Sequence, residues 1–198
     1  MKRIGRYLKG TRTRGLVLNA DDDLAIELFV DADFAGMHGY EDPDDPTSTR
    51  SRTGYVICIA KCPVLWVSKL QTETALSTMH AEYIALATAM RDLIPFKRIA
   101  EEVCRHMNLS KDKLAVIKTK TVVHEDNSGA LTLANLEPGR STPTSKFFNV
   151  KYHWFREQLK PNHIELRKVA SDEQLGDIFT KGLRKIVFEM MRLKLCGW

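Results

Sequence analysis

Three β-forming runs followed by an Ala-rich helix limit most what this chain can fold into. Residues 24–31, Leu-Ala-Ile-Glu-Leu-Phe-Val-Asp, are apolar and rich in strand formers. Residues 54–59, Gly-Tyr-Val-Ile-Cys-Ile, form a second run, and residues 64–68, Val-Leu-Trp-Val-Ser, a third, with Pro63 in the turn between them. Three strands in such close succession imply an antiparallel meander. The period then changes. From Ser77 the apolar residues Ala81, Ile84, Ala85, Ala89 and Leu93 recur at three- and four-residue spacing, with no Gly or Pro until Pro95. That pattern predicts an amphipathic helix capped by Ser77 or Thr78, continuing past Pro95 as a kinked or second helix.

Further strands are expected over 120–126 and 163–169. Helices are expected over 127–136, 147–159, 173–180 and 185–195, and residues 110–120 read as a Lys-rich connection. Residues 1–14 look like a basic helix closed by Gly10, and 36–53 a long loop marked by Gly36, Gly39, Pro43 and Pro46. The order predicts a mixed α/β layer fold, in which an antiparallel unit joins parallel strands through crossover helices.

Four acids sit where such a fold gathers its sites. Asp31 ends the first strand, Glu82 lies one turn into the long helix, Asp126 ends the fourth strand and Asp177 lies near the start of a later helix. Singly, each has an ordinary explanation. An Asp at a strand end forms turns, Asp126 can cap the helix after it, and Asp177 can offset a helix dipole. Brought together, the four carboxylates repel one another, and hard divalent cations relieve that repulsion. Two such cations about 4 Å apart cleave phosphodiesters, and Asp31 is the natural bridge between them.

Composition removes several alternatives. The chain has 198 residues, 43% hydrophobic and 28% charged, enough to bury a core. No apolar run approaches the roughly 18 residues of a membrane span, and the basic N-terminus has no apolar stretch behind it to make a secretory signal. The cysteines, Cys58, Cys62, Cys104 and Cys196, are scattered and read as reduced thiols. Cys58 and Cys62 lack the second ligand pair of a zinc site. The net charge of +5 is unevenly spread. Residues 1–14 carry six Lys/Arg and no acid, and residues 15–49 carry ten Asp/Glu and no Lys or Arg. A basic body with local acid suits a protein that holds both polyanions and cations.

Six ordered motifs carry a resemblance. They are Val30-Asp31-Ala32-Asp33-Phe34-Ala35-Gly36, Arg50-Ser51-Arg52-Thr53-Gly54-Tyr55, Trp66-Val67-Ser68-Lys69-Leu70-Gln71, Ala81-Glu82-Tyr83, Asp126-Asn127-Ser128-Gly129-Ala130 and Asp177-Ile178-Phe179-Thr180-Lys181. Together they resemble the ribonuclease H domain of copia-type LTR retrotransposon polyproteins, from about residue 3 to 183. Arg6-Tyr7-Leu8-Lys9-Gly10-Thr11 resembles the stretch just before that domain, at the end of the reverse transcriptase.

The resemblance implies an RNase H-like fold, a five-stranded mixed sheet with helices on both faces. It implies endonucleolytic cutting of the RNA strand of an RNA–DNA hybrid, giving 5′-phosphate and 3′-hydroxyl. The metal ligands would be Asp31, Glu82, Asp126 and Asp177, holding two Mg²⁺, with Mn²⁺ as substitute. Gln71, Asn127 and Ser128 would lie near the RNA backbone, with Arg50, Arg52 and Lys69 on phosphates. The implied partners are the hybrid and an adjacent reverse transcriptase, inside an intracellular, cytoplasmic virus-like particle, with no membrane. The implied division is a basic linker over 1–20, the RNase H domain over 21–183 and a helical tail over 184–198.

The chain departs from the resembled pattern in three places. His80 stands where an acid is usual, Phe147 where a His is usual, and the loop 37–49 is longer and more acidic, so it is expected to turn away from phosphate. No histidine stands beside Asp177 as a proton shuttle, and His153 and His163 read as structural. An integrase of the same superfamily is disfavoured, because its acids run Asp, Asp, Glu whereas Glu comes second here. The alternative function is a catalytically decayed, non-catalytic nucleic-acid-binding module of the same fold.

Overall fold

The computed structural model describes residues 2–36, 38–39, 44–45, 47–148 and 150–198, except for the side chain of Thr144. The orientation expected of the acidic loop 37–49 depends partly on positions 37, 40–43 and 46, which lie outside the described residues.

Five strands form one sheet: β1 Ile26–Asp33, β2 Arg52–Ile59, β3 Cys62–Leu70, β4 Thr121–Glu125 and β5 Ile164–Lys168. Their order is β3-β2-β1-β4-β5. The first three strands pair antiparallel, while β1–β4 and β4–β5 pair parallel, as the meander-plus-crossover pattern predicts. Asp31 lies two residues inside the end of β1 rather than closing it. The helices are α1 Lys2–Thr11, α2 Thr78–His106, α3 Lys111–Thr119, α4 Ser128–Ala134, α5 Arg156–Leu159 and α6 Lys185–Cys196.

Strand alternation divides the core between the two faces of the sheet. Leu28 pairs with Ile57 and Val30 with Tyr55, and these four pack with Ala81, Ala85, Met90 and Leu93 of α2. The intervening residues Val56 and Cys58 pack on the opposite face with Leu175, Met191 and Leu195. Helical packing therefore covers both faces, with α2 on one and α6 on the other. The long α2 is one continuous element that absorbs Pro95. Lys97 is buried in it and donates to Lys118 O (2.8 Å), Thr121 Oγ1 (2.9 Å) and Asn162 O (2.6 Å), binding the helix to the start of β4 and the approach to β5. All four cysteines are free thiols. Among the described residues no helix is long and apolar enough to cross a membrane.

Three expectations need correction. The Lys-rich connection 110–120 contains the helix α3. Lys and Ala favour helix, Ser110 caps it by accepting from Lys113 N, and a single buried residue, Ile117, anchors it. The helix expected over 147–159 is broken into 3₁₀ turns at Pro143–Phe147 and Val150–Tyr152 and the four-residue α5. Aromatic and β-branched residues crowd this segment and favour helix weakly. Separate tertiary partners then claim them: Phe148 stacks on His80, Tyr152 donates to Glu73, and Phe155 packs on Tyr83. The helix expected over 173–180 is only a 3₁₀ turn, Leu175–Phe179, pressed against β1 and β2.

Two glycines permit that close approach. A Cβ on Gly54 of β2 would lie 2.5 Å from Thr180 Cγ2 and 2.8 Å from Phe179 Cβ. A Cβ on Gly176 would lie 2.9 Å from both Asp31 Cβ and Asp31 N. Gln174, wholly buried, secures the turn from beneath. Its Nε2 donates to Val30 O (2.8 Å) and His124 O (3.4 Å), and its Oε1 accepts from Gly176 N (3.1 Å). The two Nε2 bonds reach β1 and β4 where their pairing ends, at the pair Phe29–His124.

Candidate metal centre

The acids converge at one end of the sheet. One carboxylate oxygen from each of Asp31, Glu82 and Asp126 lies within 4.8 Å of the others. Asp31 comes from β1 and Asp126 from the residue just after β4. Glu82 comes from the second turn of α2, whose start is fixed by Ser77 Oγ accepting from His80 N. Asp126 does not cap α4. Asn127 does so, with Oδ1 accepting from Gly129 N (2.9 Å) and Ala130 N (3.0 Å), and this leaves the Asp126 carboxylate for the pocket. Ser171 donates to Asp126 Oδ2 at 2.8 Å.

Asp177 joins from the 3₁₀ turn and lies beside Asp31 through a shared cation. Lys181 Nζ is 3.0 Å from Asp177 Oδ1 and 3.5 Å from Asp31 Oδ1. The Thr180 hydroxyl donates to Asp31 Oδ2. Asp31, Asp33, Glu82, Asp126, Asn127 and Lys181 are among the residues that line an open pocket of about 400 Å³.

The electrostatics are those of a site short of positive charge. Burial first, then repulsion from Glu125, Asp31 and Asp126, pushes the Glu82 carboxyl up to about 11. Burial pushes Glu125 well above the carboxylate range as well. Asp177 is raised to about 6, by burial and then by Asp31, against the opposing pull of Lys181. Burial works against the Lys181 charge, but Asp31 and Asp177 outweigh it and hold the ammonium up at about 12. Glu82 is 4% exposed, and its Oε2 has no hydrogen-bond partner. A buried, unpartnered carboxylate oxygen is costly. With two further carboxylates gathered beside it, the Glu82 side chain fits a hard cation that takes oxygen ligands.

Sequence reasoning did not single out Glu125, Gln174 or Lys181. Glu125 is fully buried, accepts from Asn127 N (3.0 Å) and adds its repulsion to Glu82. Its neighbour Asp126 drew the attention, and burial cannot be read from two adjacent acids. The signal for Lys181 was present in its four-residue spacing from Asp177.

The other sequence-derived contacts have varied surroundings. Gln71 is a strut, with Nε2 donating to Thr53 Oγ1 (3.1 Å) and Ala81 O (2.8 Å), which ties β2 to α2 one residue before Glu82. Ser128 is exposed and accepts from Lys168. Arg50 and Arg52 are half-buried. Lys69 lines a separate groove of about 620 Å³ with Gln71, Arg91, Lys151, Tyr152 and Trp154. His153 serves structure: its Nδ1 is shared between the Tyr83 hydroxyl and Arg156. His80 is buried against Phe148, whereas Phe147 is 81% exposed.

No family model matches the chain. Over 192 residues it is 30% identical to the Retrovirus-related Pol polyprotein from transposon TNT 1-94 of Nicotiana tabacum, a match covering 97% of this chain and 13% of that polyprotein. It is 29% identical, over 98% of its length, to the corresponding polyproteins from transposons RE2 and RE1 of Arabidopsis thaliana, covering 12% of each. The chain is a homologue of copia-type retrotransposon Pol polyproteins. It spans about an eighth of their length. Among solved structures, LC11-RNase H1, isolated from compost by a metagenomic approach, matches with a TM-score of 0.50 at 18% identity, covering 79% of this chain and 93% of that one. The chain therefore has the RNase H fold, with the sheet and flanking helices described above.

Proposed function

We propose that this chain is a metal-dependent endonuclease that cuts the RNA strand of RNA–DNA hybrids during retrotransposon reverse transcription. One observation carries the reading: Asp31, Glu82 and Asp126 each bring a carboxylate oxygen within 4.8 Å of the others, and Glu82 is buried with one oxygen unpartnered. Asp31, Glu82 and Asp126 would hold one Mg²⁺, and Asp31 with Asp177 a second, with Mn²⁺ able to substitute. Cations bound there would lower the pKa of water and neutralise charge developing at phosphorus. The chain's own contribution is preorganisation. Gln71 and Ser77 fix the start of α2, the Thr180 hydroxyl orients Asp31, and Gln174 holds the Asp177 turn against the sheet.

Lys69, Arg91 and Lys151 around the neighbouring groove suit a phosphate backbone. Arg50, Arg52, Asn127 and Ser128 complete the proposed nucleic-acid surface, with the buried Gln71 bracing it from beneath, and the 2′-hydroxyls of the RNA strand would distinguish the hybrid from duplex DNA. The adjacent reverse transcriptase is the proposed partner, with residues 1–20 as the link to it. The Val17 N–Cys196 O bond (3.0 Å) and the burial of Met191 and Leu195 support counting the tail 184–198 with the folded unit.

A labelled RNA–DNA hybrid incubated with the purified chain and Mg²⁺ tests the proposal. Cleavage of the RNA strand is expected, absent with EDTA and reduced at least a hundredfold in Asp31→Asn. Folded protein that binds the hybrid but leaves it intact at millimolar Mg²⁺ would instead establish the non-catalytic module.

A further inference from the structure

Asp31, the acid best placed to bridge two cations, has both carboxylate oxygens engaged by consecutive residues. Oδ2 accepts from the Thr180 hydroxyl, and Oδ1 lies 3.5 Å from Lys181 Nζ. The same ammonium is 3.0 Å from Asp177 Oδ1. Lys181 therefore stands between the two acids that would share the second ion. Lys181 lines the same pocket as Glu82 and Asp126, but its ion pairs are with Asp31 and Asp177, and its charge reaches the other two acids only at longer range. The Lys181 ammonium thus sits closest to the Asp31–Asp177 pair, and Glu82 and Asp126 stand farther from it.

We propose that Lys181 is a tethered counter-ion occupying the second cation position, so that the free protein binds one divalent ion, at Asp31–Glu82–Asp126, and admits a second only when Lys181 withdraws. This rests on the reading of the acids as a metal centre. The Lys181 side chain is 39% exposed, so it has an open path out of the pocket. A phosphate of bound nucleic acid would offer the displaced ammonium a new partner. A unit charge 3–4 Å from the same carboxylates competes directly with a second ion. Binding of the second ion would then be coupled to substrate rather than to free metal concentration.

Mn²⁺ titration of the whole chain without nucleic acid, by calorimetry with Mn²⁺ electron paramagnetic resonance counting bound ions, tests this. Wild type is expected to bind one Mn²⁺. Lys181→Met is expected to bind two, or to tighten the second by at least tenfold, and Lys181→Arg to bind one. Lys181→Gln, which keeps a hydrogen-bonding side chain, provides the same comparison if the Met variant folds poorly. Adding Asp177→Asn to the neutral variant should abolish the gained ion. Equal stoichiometry and affinity in wild type and both neutral variants would overturn the inference while leaving the metal centre intact. Failure of every protein to bind Mn²⁺ would remove the metal centre itself, and the role of Lys181 with it.

Discussion

Replacing Glu82 with Gln should stabilise the metal-free protein at neutral pH. In the folded chain the Glu82 carboxyl is raised to about 11 from an ordinary 4.5. Below pH 4.5 it is protonated in both the folded and unfolded states, so the shift costs nothing. Above that pH the unfolded chain releases the proton while the folded chain retains it. Wild-type stability then declines by about 1.4 kcal/mol per pH unit relative to a variant that cannot titrate. Two and a half units to pH 7 set a ceiling of about 3.4 kcal/mol. Glu125 is repelled by the same cluster and shares the proton uptake, so the expected gain at pH 7 is about 1–3 kcal/mol. Urea unfolding in EDTA, followed by tryptophan fluorescence at pH 4.5 and pH 7, measures it. The variant should match wild type at the lower pH and exceed it at the higher. A stability difference that is the same at both pH values, or that favours wild type more at pH 7, would refute the idea that mutual repulsion of the acids destabilises the fold in EDTA.

Gln174→Leu should cost about 2–4 kcal/mol in urea unfolding, because Val30 O and Gly176 N are left buried without their partners. Gly54→Ala should cost about 1–3 kcal/mol and weaken Mn²⁺ binding, since its methyl group would occupy space now held by Thr180 Cγ2 and Phe179 Cβ and would push the Asp177 turn off the sheet. In the Lys181→Arg variant, which keeps the positive charge beside Asp177, Mn²⁺ affinity should fall as pH drops through about 6; in the neutral Lys181 variants the fall should begin at a higher pH, because the cation that lowers the Asp177 carboxyl is gone, and titrations between about pH 5 and pH 8 measure the difference.

The strands were legible because their runs of β-branched and apolar residues, continuous where β2 is buried and alternating with exposed positions in the edge strand β3, are a signal local in sequence. The start of α2 and the placement of Glu82 followed from Ser77 and the helical period for the same reason. The segment 143–159 was not legible. Its buried aromatics Phe148, Tyr152 and Phe155 have helical spacing, yet their partners lie 65 or more residues earlier in the chain, on His80, Glu73 and Tyr83. Lys-rich α3 was read as a connection because only Ile117 anchors it. At the centre, the order of the four acids pointed to the site, but their crowding with Glu125 and the insertion of Lys181 depend on distances that sequence does not carry.

Asp31, Glu82 and Asp126 sit on or next to the sheet and its longest helix, whereas Asp177 belongs to a 3₁₀ turn fastened by one buried amide side chain, by glycine contact, by the Thr180–Asp31 bond and by the packing of Leu175 on β2. Such a turn can open while the five strands remain paired. The protein then has two thresholds of integrity, one for the globule and a lower one for the fourth acid. Between them lies a state that is folded by every global measure yet lacks one corner of its charge cluster. Gln174, Gly176 and Gly54, the residues beneath the turn, therefore govern how often the centre is complete in addition to what they contribute to the stability of the fold.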